Sequence, residues 1–396
     1  MVAQPNIEAR RRDQPNAGDH LLEEVSGPRL SPRARAWAIV GGWWLGSRAL
    51  VIVTAIVVQH ARFPHNRWPS TVAHRPLGLL TTWDGHWYRM IAEHGYLVIP
   101  HRQSDTAFFP FFPALLRLGH AAGLSAYTAG LIVANLAFLV ALIALYELVQ
   151  VWMDEAAARR AAVYAAIFPV GFVFSMVYPE ALVLAAITIA GVLAARGRWL
   201  GAAVAAAVAA LTRPEALLLV LPLTALAIRA WPTADSRTRW RVLTAVAAAP
   251  AAIAAICLYD WRTFGDPLAF SSAQRAWGRA FAVTGPKHAI VELVRSTGTY
   301  NAWLYRDAAF CVVYLALLVV AARFVPLAWI GAAALIVLLP LWTGSFTSDA
   351  RFGLVAVPIY AGLARVTRSR FVDIPLRICS VGLLVAATAT VLLRWP

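Results

Sequence analysis

Between Thr82 and Tyr96 the chain reads TWDGHWYRMIAEHGY, with one carboxylate, Asp84, set among aromatic residues. On a helix starting near Asp84, Trp83, Trp87 and Ile91 fall at steps of four and share an apolar face. Asp84 and Tyr88 are also four apart, and His86, Arg89 and Glu93 supply polar groups around the rest. Such a helix suits a membrane interface, with its tryptophans in lipid or protein. It would hold the carboxylate at a fixed depth, at the mouth of a membrane-embedded cavity. A carboxylate placed there can serve as a general base. The plainer alternative is that Asp84 only caps the helix.

Four further clusters carry candidate chemistry: YPEAL at 178–182, TRPEAL at 212–217, GDPLAFSSAQRAWGR at 265–279 and SDARF at 348–352. Arginine suits an anionic phosphate because its planar fork donates two parallel charge-assisted hydrogen bonds. Arg351 and Arg213 are the candidates for that role; the alternative for each is a pairing with a nearby carboxylate, Asp349 or Glu215. Glu180 follows a proline and is either a substrate contact or an acid at a helix N-terminus, favoured by the dipole. Phe270, Ala273 and Trp277 follow helical steps, so a short helix lying flat over the cavity is expected. Gln274, Arg275 and Trp277 on it, with His86 and Tyr88, are candidate substrate contacts. No D-x-D pair, P-loop, H-E-x-x-H or G-x-S-x-G occurs. The irregular histidines between His60 and His120 offer no converging zinc ligands. Neither a metal nor a cofactor is expected.

The elements that must position these residues are membrane helices. The chain has 396 residues, 60% hydrophobic and only 14% charged, with a mean hydropathy of +0.64. Soluble domains carry about 25% charged residues. The expectation is an all-α polytopic membrane protein with about eleven crossings, at 36–58, 125–150, 157–176, 179–196, 199–212, 215–230, 241–259, 308–323, 326–343, 352–366 and 375–394. Residues 107–121, with Pro110 and Pro113, read as re-entrant or interfacial. The first 35 residues read as a disordered cytoplasmic tail, and the first apolar run as an uncleaved signal anchor. The net charge of +15 is almost all arginine and fits loop charge and lipid headgroups; nucleic acid is not an expected partner. Cys257, Cys311 and Cys379 lie in apolar segments, without metal or disulfide spacing.

Orientation follows from the arginines. With the tail inside, the inside turns hold Arg159 and Arg160, then Arg196 and Arg198, then Arg229, Arg237, Arg239 and Arg241, then Arg323, then Arg365, Arg368 and Arg370, as the positive-inside rule asks. The loops at about 59–124 and 260–307 then fall outside, with every candidate site residue. Charges at membrane edges such as Glu180, Glu215 and Arg351 are costly there and suggest function. No transporter-type repeat is visible. A lipid or sugar transporter would also spread polar residues through the midplane, whereas here they gather at one edge. Residues 36–396 are read as one membrane domain.

The ordered pieces WDGHWYRMIAEHGY, AFFPFFPALLR, YPEAL, TRPEALLLVLP, FGDPLAFSSAQRAWGR and ARFGLVAVPIYAGLA resemble the PIG-V family of mannosyltransferases, within the GT-C superfamily of membrane glycosyltransferases. They span roughly residues 80–365. The resemblance implies a GT-C-like helical bundle, a polyprenyl-phosphate-mannose donor and a glycolipid or glycan acceptor on the non-cytoplasmic face. It implies a catalytic acid in the first external loop, which Asp84 matches. Pro179 stands where the family often has Ser or Thr, and Phe352 where it has Tyr. Another lipid-linked sugar or a protein acceptor remains open. Attack on a sugar C1 bonded to phosphate needs one base and, because phosphate leaves well, no general acid.

Overall fold

The computed structural model describes residues 31–61, 75, 77–97, 103–297 and 299–394. Residues 1–30, most of the expected tail, lie outside the described residues. Two compact units are present, Met1–Ile39 and Val40–Pro396. The described part of the first is the opening of helix α1 (Pro32–His60). The second holds everything that follows.

In chain order the helices are α2 (Asp84–His94), α3 (Phe111–Ala121), α4 (Ala126–Trp152), α5 (Glu155–Ala166), α6 (Glu180–Ala195), α7 (Trp199–Thr212), α8 (Val220–Ala230) and α9 (Ser236–Phe264). There follow α10 (Ala269–Ala273), α11 (Gly285–Arg295), α12 (Thr299–Ala321), α13 (Leu327–Leu338), α14 (Asp349–Phe352), α15 (Pro358–Val366) and α16 (Arg370–Arg394). Among the described residues there is no strand. Six helical stretches are long and apolar enough to cross a membrane: Pro32–His60, Ala126–Trp152, Pro214–Thr233, Ser236–Phe264, Ala302–Ala321 and Arg370–Leu392. Three shorter apolar ones are Glu180–Ala195, Trp199–Thr212 and Leu327–Thr343.

Six long spans and three short apolar helices differ from eleven even crossings. The expected span 157–176 is a 12-residue helix, α5, followed by an irregular segment with a short 3-10 turn at Gly171–Ser175. The expected span 352–366 contains a 3-10 turn and the 9-residue α15. At 1.5 Å per residue such helices reach only about 14–18 Å, roughly half a hydrocarbon core. Residues 107–121 end in the 11-residue α3, also too short to span. Its prolines are accommodated at the start, Pro110 as N-cap and Pro113 in the first turn, where a missing N–H costs nothing.

Local chemistry sets the helix ends. The Ser125, Asp154 and Asp235 side chains accept from the N–H groups of Thr128, Ala157 and Thr238 at the starts of α4, α5 and α9. Gly265 ends α9 with φ 75°, a conformation glycine adopts without a Cβ penalty. α4, α6, α7 and α9 pack in succession. Small residues at their contacts, such as Ala202, Ala206 and Ala209, let backbones approach, because lipid supplies no hydrophobic drive between helices.

One buried cation fixes the irregular segment that leads to the site. Arg48 of α1 is 2% exposed, and its guanidinium donates to the Gly171 and Ala166 carbonyls and to Ser175 Oγ at 2.9–3.1 Å. Its face lies on the Phe138 ring at 4.6 Å. Ser175 in turn donates to Asn135 Oδ1 at 2.8 Å. Carbonyls left over where α5 ends are thereby satisfied without helix. The chain then reaches Tyr178 and Glu180 in an irregular conformation.

Candidate active site

α2 begins at Asp84, where the sequence places a helix start, but Asp84 is not its cap. Trp83 is the N-cap and makes no side-chain capping bond. The Asp84 carboxylate turns instead to the guanidinium of Arg351, 2.5 Å away and 267 positions along the chain. The capping alternative is thus set aside by the direction of the side chain.

Two close approaches bring these segments together. Gly85 lies against Val177, where a Cβ would come within 3.2 Å of Val177 Cβ; at Gly130 of α4 a Cβ would stand 2.5 Å from Val177 Cγ1. Val177 N–H donates to the Leu80 carbonyl at 3.0 Å. With Val177 wedged between two glycines, Tyr178 is delivered to α2, and its hydroxyl accepts from the Asp84 N–H at 3.4 Å. On the other side, Gly353 lets Tyr314 lie against α14, since a Cβ there would overlap the Tyr314 ring at 2.1 Å. The Tyr314 hydroxyl donates to the Ala350 carbonyl at 2.6 Å. The Asp307 carboxylate accepts from the Ser348 N–H at 2.7 Å and from Arg306.

Backbone strain marks both sides. Among the described residues three non-glycines have positive φ: Leu77, Trp83 (54°) and Ser348 (73°). Two of these immediately precede α2 and α14, the helices that carry Asp84 and Arg351. Strain of this kind persists only where packing over-determines it, and it clusters at functional sites.

The charged cluster is compact. Glu180, 1% exposed, accepts from Arg213 at 2.6 Å and lies 3.4 Å from Arg351 Nε through the same oxygen. Arg213 also pairs with Glu215, the nearby carboxylate expected as its alternative partner. Arg351 lies over the Tyr178 and Phe352 rings, each at 5.1 Å. Phe352 also carries Arg213 at 5.0 Å and Arg279 at 5.4 Å. Phe352 is thus a plain ring against which three guanidiniums pack. Arg279 donates to Ser348 Oγ at 3.2 Å.

The cluster opens into a cavity of about 790 Å³. Four arginines line it, Arg213, Arg279, Arg306 and Arg351, against two acids, Asp84 and Glu292. The remaining wall is largely apolar, including Phe109, Val170, Phe172, Val173 and Met176. Trp277 folds over from the second loop and meets Trp87 and Phe108 edge-on at 5.6 and 6.0 Å. The expected short helix is present as α10 plus a 3-10 turn at Gln274–Trp277.

Asp84, Tyr88, Arg213, Arg351, Gln274 and Trp277 thus line one cavity, and Glu180 lies behind it, holding both arginines. Arg275 and His86 are exposed and are not among its lining residues. Partial desolvation of its ring lowers the His86 pKa, with Arg89 acting in the same direction. Burial raises Tyr88 and Tyr178, so both hydroxyls stay protonated. Sequence reasoning did not single out Tyr178, Arg279, Arg306 and Asp307, and it named Asp349 only as an alternative partner of Arg351. Tyr178 and Arg279 lie inside the quoted motifs, whereas Arg306 and Asp307 sit in an apolar helix with no motif around them. Asp349 is fully buried, with the Cys311 thiol beside its carboxylate. It is not the partner of Arg351. Burial, with Asp307 nearby, pushes its pKa up to about 8. Among the described residues no group of three or more His, Cys, Asp or Glu could hold a metal ion.

No protein-family model matches the chain, and no curated protein does. Among solved structures it is similar to the Archaeoglobus fulgidus oligosaccharyltransferase in the apo form, with 16% identity, a TM-score of 0.43, and coverage of 87% of this chain and 56% of that one. It is similar also to archaeal oligosaccharyltransferase AglB from the same organism in complex with an inhibitory peptide and a dolichol-phosphate, with 16% identity, a TM-score of 0.40, and coverage of 88% and 55%. The chain spans about half the length of these proteins. At these scores the likeness establishes neither a family nor an activity for this chain.

Proposed function

We propose that this chain is an integral membrane glycosyltransferase. In the finer reading it moves mannose from a polyprenyl-phosphate-mannose donor to an acceptor hydroxyl of a glycolipid or glycan, on the non-cytoplasmic face. The observation that carries the reading is the meeting of Asp84 and Arg351 at one wall of a cavity lined by four arginines. The arginines suit a phosphate, and the apolar wall suits the start of a lipid chain. The choice of mannose rests on the motif resemblance.

In this reading Asp84 and Arg351 neutralise each other while the site is empty. A donor phosphate takes the Arg351 fork, which it can fill bidentately, and so releases the Asp84 carboxylate. Asp84 then accepts the proton of the acceptor hydroxyl as its oxygen attacks the sugar C1. The C1–O bond to phosphate breaks on the opposite face, the configuration at C1 inverts, and the departing phosphate keeps the electron pair. Arg351 and Arg279 offset the charge that grows on it. A β-linked donor gives an α-linked product. Glu180 holds Arg351 and Arg213 in place, and Trp277 with Gln274 closes the acceptor side.

Donor kinetics test the phosphate role. Arg351→Ala should reduce kcat/KM for the lipid-phosphate donor by about a hundredfold. Arg351→Lys should lose about tenfold, since lysine keeps the charge but not the fork. Normal donor kinetics in a folded Arg351→Ala protein would remove Arg351 from the donor site.

A further inference from the structure

A second cavity, of about 400 Å³, lies at the other end of the helices that deliver the active site. α6 runs from Glu180, behind the active site, to Ala195, in the wall of this cavity, a rise of roughly 23 Å. The walls are apolar and come from the ends of α4, α6 and α8 and the start of α13. Trp152 and Trp329 meet edge-on there at 5.3 Å. Gly191 allows that arrangement, because a Cβ on it would stand 2.7 Å from the Trp329 ring.

Two of the lining residues are arginines, Arg229 and Arg323. Both are exposed, and neither makes a hydrogen bond or ion pair with any described residue. Arg365 adds a third cation nearby, 5.5 Å over the Phe324 ring. No acidic residue lines the cavity. The nearest acid on α4, Glu147, is taken by Arg196. An apolar slot between membrane helices with unpaired guanidiniums beside it matches an amphiphile with a negative head. A free anion would leave the slot empty. A zwitterionic lipid would bring its own cation against the arginines.

We propose that this cavity binds an anionic phospholipid, with an acyl chain between the Trp152–Trp329 wall and α8 and the phosphate on Arg229 and Arg323. The site is separate from the catalytic cavity and stands whether or not the glycosyltransferase reading holds. The same arginines also lie near the C-terminal ends of α4, α6 and α8, where they offset the helix dipoles. That role alone requires no ligand.

The test is native mass spectrometry and thermal melting of the full chain in mild detergent, titrated with dioleoyl phosphatidylglycerol, dioleoyl phosphatidylcholine or inorganic phosphate. Phosphatidylglycerol should be retained and should raise the melting temperature, and the other two should do so weakly. Arg229→Gln with Arg323→Gln should weaken phosphatidylglycerol binding by about tenfold or more, the scale of one lost charge-assisted contact. Arg237→Gln with Arg239→Gln removes the same charge near the start of α9 and should leave binding within about twofold. Equal loss in both double variants would reduce the effect to general basicity and overturn the site. So would equal binding of phosphatidylcholine, or a response to inorganic phosphate matching that to the lipid. An unchanged response in the Arg229/Arg323 variant would do the same.

Discussion

The Asp84–Arg351 pair can be tested for stability independently of any activity. The Arg351 and Asp84 side chains are 17% and 21% exposed, so the pair is largely but not fully desolvated. Arg351→Ala leaves the Asp84 carboxylate without its partner and removes one of two cations from Glu180. Breaking a buried pair costs about 3–5 kcal/mol, and the partial exposure here puts the cost near the lower end. Asp84→Asn removes one charge, while Arg351 keeps Glu180 at 3.4 Å, so about 1–2 kcal/mol is expected. In the double variant the stranded carboxylate is gone, and its cost should resemble that of Arg351→Ala alone. The coupling should therefore be about 1–2 kcal/mol. The assay is urea unfolding of the four proteins in one detergent, followed by circular dichroism. Costs that add to within about 0.5 kcal/mol would refute the contact between residues 84 and 351.

Topology is checked with single cysteines at Ser236 and Ser272 after removal of Cys257, Cys311 and Cys379. The two positions flank the 29-residue α9, roughly 43 Å long, and should label from opposite sides with an impermeant reagent. Labelling of both from one side would end the proposed orientation. Asp349 should make stability fall as pH rises. Its folded pKa of about 8 lies above the unfolded value of about 3.9, so the folded state binds the extra proton between those values. Stability from this group is full below about pH 4 and is lost as pH rises toward 8. Asp349→Asn should flatten the melting temperature between pH 6 and 8; an unchanged slope would show that Asp349 is already ionised there.

Local periodicity made α2 legible. The tryptophan and isoleucine steps and the Asp84 start put the helix where it lies. The short helix before Trp277 was legible from Phe270, Ala273 and Trp277, and the pairing of Arg213 with Glu215 from their spacing of two. The Trp83 conformation was not, because a bulky residue at φ 54° runs against every local preference and is imposed by surrounding packing. Nor was the direction of the Asp84 side chain, since its partner sits on a segment 267 positions away. Nothing local distinguishes a capping aspartate from a paired one. Hydropathy registers apolar length and not helical continuity. Residues 161–176 are almost entirely apolar, yet the backbone leaves the helix after α5, and Arg48, from a distant segment, supplies the missing hydrogen bonds.

The general base is the central claim, and turnover of Asp84→Asn tests it most directly. The substitution keeps the side chain's size and removes its basicity. It also frees Arg351 from its partner in the empty site. Donor KM should therefore stay level or fall, and the loss should appear in kcat, which separates a missing base from a collapsed site. The measurement uses purified protein with a melting temperature close to that of the parent, polyprenyl-phosphate-mannose and a membrane lipid acceptor. A kcat lowered by about a hundredfold or more, at unchanged or lower donor KM, is the predicted result. Near-normal kcat would contradict it and leave Glu180 as the next carboxylate to test.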